Sequence, residues 1–260
     1  MAASMTASER VDWGEGVLAT LTINLSSWHC WASGIAADLR WRRWIEADVR
    51  PVAGEAPALK DIKPINRRRL SPIARGAFYC AQQCLQTVTP VATVFCSAHG
   101  EGSRALELLE AIARDEPISP TTFSLSVHNS VAGLFSIFNH ETAPSIAIAA
   151  GLDGIGTAFV EGWGLLQAHG SGEVLVVLYD DQMPEPFRVG DDAPPVGIAA
   201  AFVLSMDERH TRYRIERKAS SGAARSAHWD EIRHLVAFLQ DRGRQLVLRS
   251  DRVEWSWAAL

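Results

Sequence analysis

The chain has 260 residues, 47% of them hydrophobic, and a formal net charge of −5. That length and apolar content suffice for one well-buried domain, alone or with an appendage. The acidic balance argues against a dedicated nucleic-acid binder, and no apolar run reaches the roughly 18 residues that a membrane-spanning helix needs.

Residues 1–16 are small and polar and read as a disordered start without the basic-then-apolar pattern of a secretory leader. The four cysteines, Cys30, Cys80, Cys84 and Cys96, are therefore expected as free thiols in a reducing, cytoplasmic setting. Val17 to Ser26 is β-like, and residues 48–66, with Pro51, Gly54, Pro57 and Pro64, read as a loop. The tight basic cluster Arg67, Arg68 and Arg69 reads as a solvated helix entrance or as a site for phosphate or an acidic partner. Ser71-Pro72 then supplies an N-cap followed by proline at the first helical position, and Leu70, Ile73, Ala74, Ala77, Phe78, Ala81 and Leu85 carry the helical period. Cys80 and Cys84 share a face of that helix, but no second ligand pair at zinc spacing accompanies them, so no metal or other cofactor is expected.

A strand, Val91 to Cys96, leads through Ser97-Ala98-His99-Gly100-Glu101-Gly102 into a helix from Arg104 to Ala113. Gly100-Glu101-Gly102 sits where a phosphate-binding turn would lie. Ala105 occupies the place of the last glycine of a dinucleotide fingerprint, so a plain strand-to-helix turn is the simpler reading. Pro117 and Pro120 mark a loop, Ser126 to Phe138 reads as a buried helix, and Ser145 to Ala150 is an apolar run of strand length. Gly151 to Gly156 joins that run to a helix from Asp153 to about Ala168. This strand-turn-helix elbow is where enzymes display a nucleophile, yet it holds neither Ser nor Cys. Asp153 has an N-cap as its simpler role and a nucleophile as its sharper one. His128, inside an apolar segment, reads as a structural histidine or as a base.

Glu173 to Tyr179 and Gly197 to Ser205 are further buried strands, Tyr213 to Lys218 alternates like a half-exposed strand, Trp229 to Leu239 has a helical period, and Gln245 to Trp257 is β-like. Trp229, Trp255 and Trp257 read as core or interface. Buried strands alternating with helices predict an α/β fold with a mainly parallel mixed sheet covered by helices.

Several segments together resemble the β-ketoacyl-acyl carrier protein synthases of the thiolase superfamily. Arg68-Arg69-Leu70-Ser71 resembles that family's Arg-Arg-Met-Ser helix entrance. The run from Phe123 to Gly133 resembles the dimer-interface helix and the segment before it, and Pro144-Ser145-Ile146 its Gly-Pro-Ser strand entrance. Glu173 to Leu178 resembles the strand after the nucleophile helix, so the resemblance is colinear over roughly residues 60–205. It implies a thiolase-like half fold. A domain over 17–210 would be followed by a strand and helix extension over 211–260.

The departures set the functional expectation. Carried across, the family's cysteine falls on Leu152, or on Asp153 after a slip of one residue, and neither is a thiol. The family's catalytic histidines belong to a second half of the fold that the remaining length does not provide. The resemblance is therefore to the chain-length-factor-like subunits encoded with aryl polyene pathways. It implies a non-catalytic partner of a complete β-ketoacyl synthase, meeting acyl carrier protein through the complex. The implied heterodimer face is Val127, Val131, Ala132, Gly133, Leu134, Phe135 and Phe138, with Thr122, Phe123 and His99 as acyl-tunnel candidates. A divergent acyltransferase or hydrolase using Asp153 or His128, and a purely structural interaction protein, remain the rival readings.

Overall fold

The computed structural model describes residues 17–35, 44, 54–85, 91–169, 172–188, 194–220, 227–250 and 252–260. Residues 1–16 and most of 36–53 lie outside the described set, and with them the expected disordered start and part of the expected loop.

One eight-stranded sheet organises the chain, in the order β3-β2-β4-β5-β1-β6-β8-β7. Its strands are β1 (Val17–Ala32), β2 (Ala92–Cys96), β3 (Ser145–Ile148), β4 (Glu173–Asp180), β5 (Ile198–Ser205), β6 (Thr211–Ala219), β7 (Gln245–Arg249) and β8 (Val253–Ala259). The helices are α1 (Pro64–Arg67), α2 (Pro72–Cys84), α3 (Gly102–Ala113), α4 (Pro120–Ser126), α5 (Ser130–Asn139), α6 (Gly156–His169) and α7 (His228–Gln240).

The mixed sheet and its helical cover are as expected, but the sheet is not mainly parallel. Only β3-β2 and β2-β4 pair in parallel; β4-β5, β5-β1, β1-β6, β6-β8 and β8-β7 are antiparallel. A parallel return needs a crossover, usually a helix. Between β4 and β5 the described residues hold only a short 3-10 turn, Glu185–Phe187, and β5 comes back antiparallel. The continuous apolar runs of β4 and β5 arise because both sheet faces are covered. Val174, Val176 and Leu178 with Ile198, Ala200, Phe202 and Leu204 enter one core. Leu175, Val177 and Tyr179 with Ala199, Ala201 and Val203 enter the other. Two-sided burial sets that composition whatever the strand direction.

The first core lies under α6 and α7, the second under α2 and α5. Ser71 caps α2 as predicted, its Oγ accepting the Ala74 N–H at 3.1 Å. The stretch 211–260 continues the sheet: β6 pairs with the first half of β1, β8 with β6, and Trp255 and Trp257 are buried in the first core.

The helix expected from Ser126 to Phe138 starts only at Ser130, and a separate short helix precedes it. α4 ends at Ser126, Val127 is extended, and α5 starts at Ser130. Serine hydroxyls in this region bond to local carbonyls: Ser124 to Thr121 O at 2.9 Å, Ser126 to Phe123 O at 2.9 Å and Ser130 to Leu125 O at 3.0 Å. Such side-chain competition favours helix ends over helix interiors.

Candidate functional site

The elbow exists. After β3, Gly151–Asp153 form one 3-10 turn, Gly154 takes a φ of 71° open to glycine, and α6 begins at Gly156. Leu152 and Asp153 therefore stand in the turn, ahead of the helix. Asp153 is not the N-cap: its carboxylate lies 3.8 Å from the Arg217 guanidinium, and its carbonyl accepts the indole N–H of Trp255 at 2.6 Å.

A helix N-terminus offers unpaired N–H groups and a partial positive charge, which is what an elbow enzyme uses to stabilise an anion. Here one of those groups is engaged from inside the chain. Glu231 of α7 accepts the Ile155 N–H at 2.8 Å through Oε2 and the Ser250 hydroxyl at 2.6 Å through Oε1. Burial pushes the Glu231 carboxyl up, and the bonds from Ser250 and Ile155 counter it. The fit is close. A Cβ on Gly154 would meet Ser250 Oγ at 2.1 Å, and one on Gly156 would meet the Trp255 ring at 2.2 Å.

Beside this carboxylate lies a second buried polar group. Asp180, at the end of β4, accepts from Ser97 Oγ at 2.9 Å, from the Ala98 N–H at 2.9 Å and from the His99 N–H at 3.4 Å. Its other oxygen meets Nδ1 of His228, the first residue of α7. His228 Nε2 lies 3.7 Å from Cys96 Sγ. The order thiol, imidazole, carboxylate matches the roles of a nucleophile, a base and its orienter. Cys96, however, is fully buried, which leaves no open face for a substrate. Sequence reasoning missed Cys96, Asp180, His228 and Glu231. The available signals were acids closing a buried strand, at Asp180-Asp181, and polar residues opening an amphipathic helix, at His228 and Glu231.

His128 Nε2 lies 3.0 Å from the Ser97 carbonyl, tying the turn before α5 to the loop that carries His99. No hydrogen bond or ion pair among the described residues joins His128 to Asp153. Cys80 and Cys84 do share a face of α2, and their thiols turn to the Ala199 and Ala201 carbonyls at 3.5 and 3.4 Å. Burial raises both thiols, Cys84 to about 12.

The proposed heterodimer face divides. Val131, Ala132, Leu134 and Phe135 are buried in the chain's own second core, and Phe138 is half-buried against it. This corrects the expected face, because α5 uses its apolar stripe to close its own domain. Val127 (42% exposed), Gly133, Ile137 (61%) and Phe123 (60%) point outward. Thr122 is half-buried and His99 exposed. A cleft of about 790 Å3 beside β1, α2 and residues 54–61 has no lining residue from the elbow, α4 or α5. No helix among the described residues is long and apolar enough to cross a membrane.

The sequence model of the β-ketoacyl synthase N-terminal domain matches residues 41–258. Among solved structures, the ketosynthase ApeO in complex with its chain length factor ApeC from Xenorhabdus doucetiae aligns with a TM-score of 0.79 and 24% identity. That alignment covers 92% of this chain and 99% of that one. A type II polyketide synthase acyl carrier protein in complex with its ketosynthase aligns with a TM-score of 0.60 and 11% identity, over 92% and 99% of the two chains. The ishigamide ketosynthase/chain length factor follows at 0.55 and 14%, over 85% and 74%. At these identities the likeness is one of fold. No curated protein matches the sequence.

The Glu231 contacts set a stability expectation. Glu231→Ala leaves the Ile155 N–H and the Ser250 hydroxyl buried without their partner, at a cost of roughly 3 kcal/mol. In a chain of this size that lowers Tm by about 6–12 °C. Glu231→Gln keeps an acceptor for one donor and is expected to lose about half as much, read by thermal denaturation.

Proposed function

The chain belongs to the β-ketoacyl synthase N-terminal domain family, and we propose that within it the chain is a non-catalytic, chain-length-factor-like partner of a complete β-ketoacyl-acyl carrier protein synthase, of the aryl polyene type. The observation that carries this reading is the elbow. It has the shape that displays a nucleophile, it holds no thiol, and a backbone N–H at the start of its helix is bonded by an internal carboxylate. A fold shared with a ketosynthase–chain length factor complex supports the same reading.

The outward residues suit a partner. β3 is an edge strand whose Ile146, Ala147 and Ile148 are only half-buried, and an open edge of this kind is usually paired or covered. Phe123, Val127 and Ile137 add exposed apolar area, and at Gly133 an added Cβ would meet nothing within 4 Å. Lys60, Lys63, Arg68 and Arg69 are exposed and make no ion pair among the described residues, which fits an acidic carrier protein reached through the complex.

Three outcomes follow from this reading. The purified chain is expected neither to take an acyl group from acyl carrier protein nor to release carbon dioxide from its malonyl form. Leu152→Cys is expected to stay silent, since the Ile155 N–H next to that turn is already taken. Intact-protein mass spectrometry and carbon dioxide release check this, and acyl loading by the unaltered chain would overturn it.

Gly133→Arg places a charge on the outward face of α5 without disturbing the chain's core. It is expected to leave the fold intact and to abolish the 1:1 complex with the ketosynthase in size-exclusion chromatography.

Chain length is the third. If Phe123 and Thr122 close the acyl tunnel, Phe123→Ala and Thr122→Gly lengthen the products and Thr122→Trp shortens them, each methylene of room being worth about 0.8 kcal/mol. Product mass spectra of intact complexes check this. Unchanged lengths in all three, with His99→Ala equally silent, would leave the chain a scaffold.

A further inference from the structure

The first turn of α7 is held by a pair of charges in an unusual place. His228 is the first residue of the helix, and its preceding residue, Ala227, provides no side-chain cap. A cation at a helix N-terminus is disfavoured by the helix dipole, so a protonated His228 needs a compensating anion. Asp180 supplies it, and Asp180 is itself fixed by Ser97, Ala98 and His99. One turn further along, Glu231 holds the Ile155 N–H and Ser250. Beneath the turn, Cys96 is sealed.

We propose that the first turn of α7 is a pH-gated latch: protonated His228 clamps it to Asp180, and loss of that proton lets the turn lift from the ends of β2 and β4, uncovering Cys96 and the start of α6. The latch shares His99, Glu231 and the start of α6 with the proposed function, but its test reads Cys96 in the chain alone and needs no ketosynthase partner.

The surrounding groups are Cys96 of β2, His99 and Glu101 in the loop after it, Tyr179, Asp180 and Asp181 at the end of β4, and Asp230, Glu231 and His234 on α7 itself. Burial works against both charges of the pair. For His228 the charge and hydrogen bond of Asp180 outweigh it, and the imidazole is held well above its usual 6.5. For Asp180 the His228 cation outweighs it, and the carboxyl is held below its usual 3.8. A raised histidine stabilises fully below its free value and loses that contribution as pH rises towards its value in the closed turn. Acidic pH down to the carboxylate range leaves the clamp shut, and alkaline pH releases it.

Thiol alkylation tests this on the full chain. Iodoacetamide labelling of each cysteine is followed by peptide mass spectrometry from about pH 6 to about pH 10, spanning the free histidine value, each rate divided by that of an unstructured cysteine peptide at the same pH. The protection of Cys96 is expected to fall by up to about tenfold per pH unit once pH exceeds the free histidine value. Cys80 and Cys84, in the opposite core under α2, are expected to keep theirs and so to report on global unfolding. His228→Gln and Asp180→Asn are expected to give low Cys96 protection that no longer changes with pH. Protection of Cys96 that is flat with pH in the unaltered chain overturns the latch. So does protection that falls in step with Cys80 and Cys84. The unaltered chain alone decides the matter if either variant fails to fold.

Discussion

Glu231 accepts the Ile155 N–H and the Ser250 hydroxyl, and the contacts around the elbow are arranged about that carboxylate. Backbone donors at a helix start must find acceptors once water is excluded. In an elbow that binds a reacting group, the ligand or its anion can serve. Here the acceptor is supplied 76 residues further along the chain. Once Glu231 occupies that position, Gly154 and Gly156 must lack side chains, Trp255 can close over the turn, and its indole can reach the Asp153 carbonyl. The end of the elbow, Gly154 to Gly156, is thus buried under α7 and β8.

The same carboxylate ties 211–260 to the elbow. α7 brings Glu231 and His228 to the ends of β2 and β4, and β8 brings Trp255. β6 gives β1 its second neighbour, and β8 gives β6 one. Apolar burial at this density is what makes small side chains necessary at close approaches. Exposed apolar side chains occur elsewhere too, among them Ile65, Leu109 and Ile112, but Phe123, Val127 and Ile137 are gathered on α4, α5 and the segment between them.

Local signals were legible in the sequence. Ser71 and Pro72 start α2 where a cap and a fixed φ dictate it, and the apolar runs at Glu173–Asp180 and Ile198–Ser205 are strands of the length expected. Strand direction was not legible, because full burial on two faces erases the alternation that separates an exposed antiparallel strand from a parallel one. The break at Val127 was hidden by an apolar pattern that suits one long helix equally well. Asp180 and His228 are 48 residues apart, and Cys96 and His228 are 132 apart. No local period links such positions, so the polar layer beside the elbow emerges only with the tertiary fold. The missing thiol at the elbow was legible; the carboxylate bonded behind it was not.

That break has a consequence for recognition. In a continuous helix, Val127 would share a face with Val131 and Leu134 by the helical period and be drawn into the core. The extended residue at 127 frees it from that face, and it is 42% exposed. α5 is then left with two duties divided between its sides. Phe135 stacks edge-on to Phe78 at 5.2 Å and packs near Phe95 at 5.3 Å, which fixes the helix to its own sheet. The opposite side offers Gly133 and Ile137, too little apolar area by itself for a stable contact. The remainder has to come from Phe123 and Val127, on the segment that the break redirects. A partner that seats closely against Gly133 therefore meets an apolar surface built from two helices, and the interruption between them is what makes that surface available.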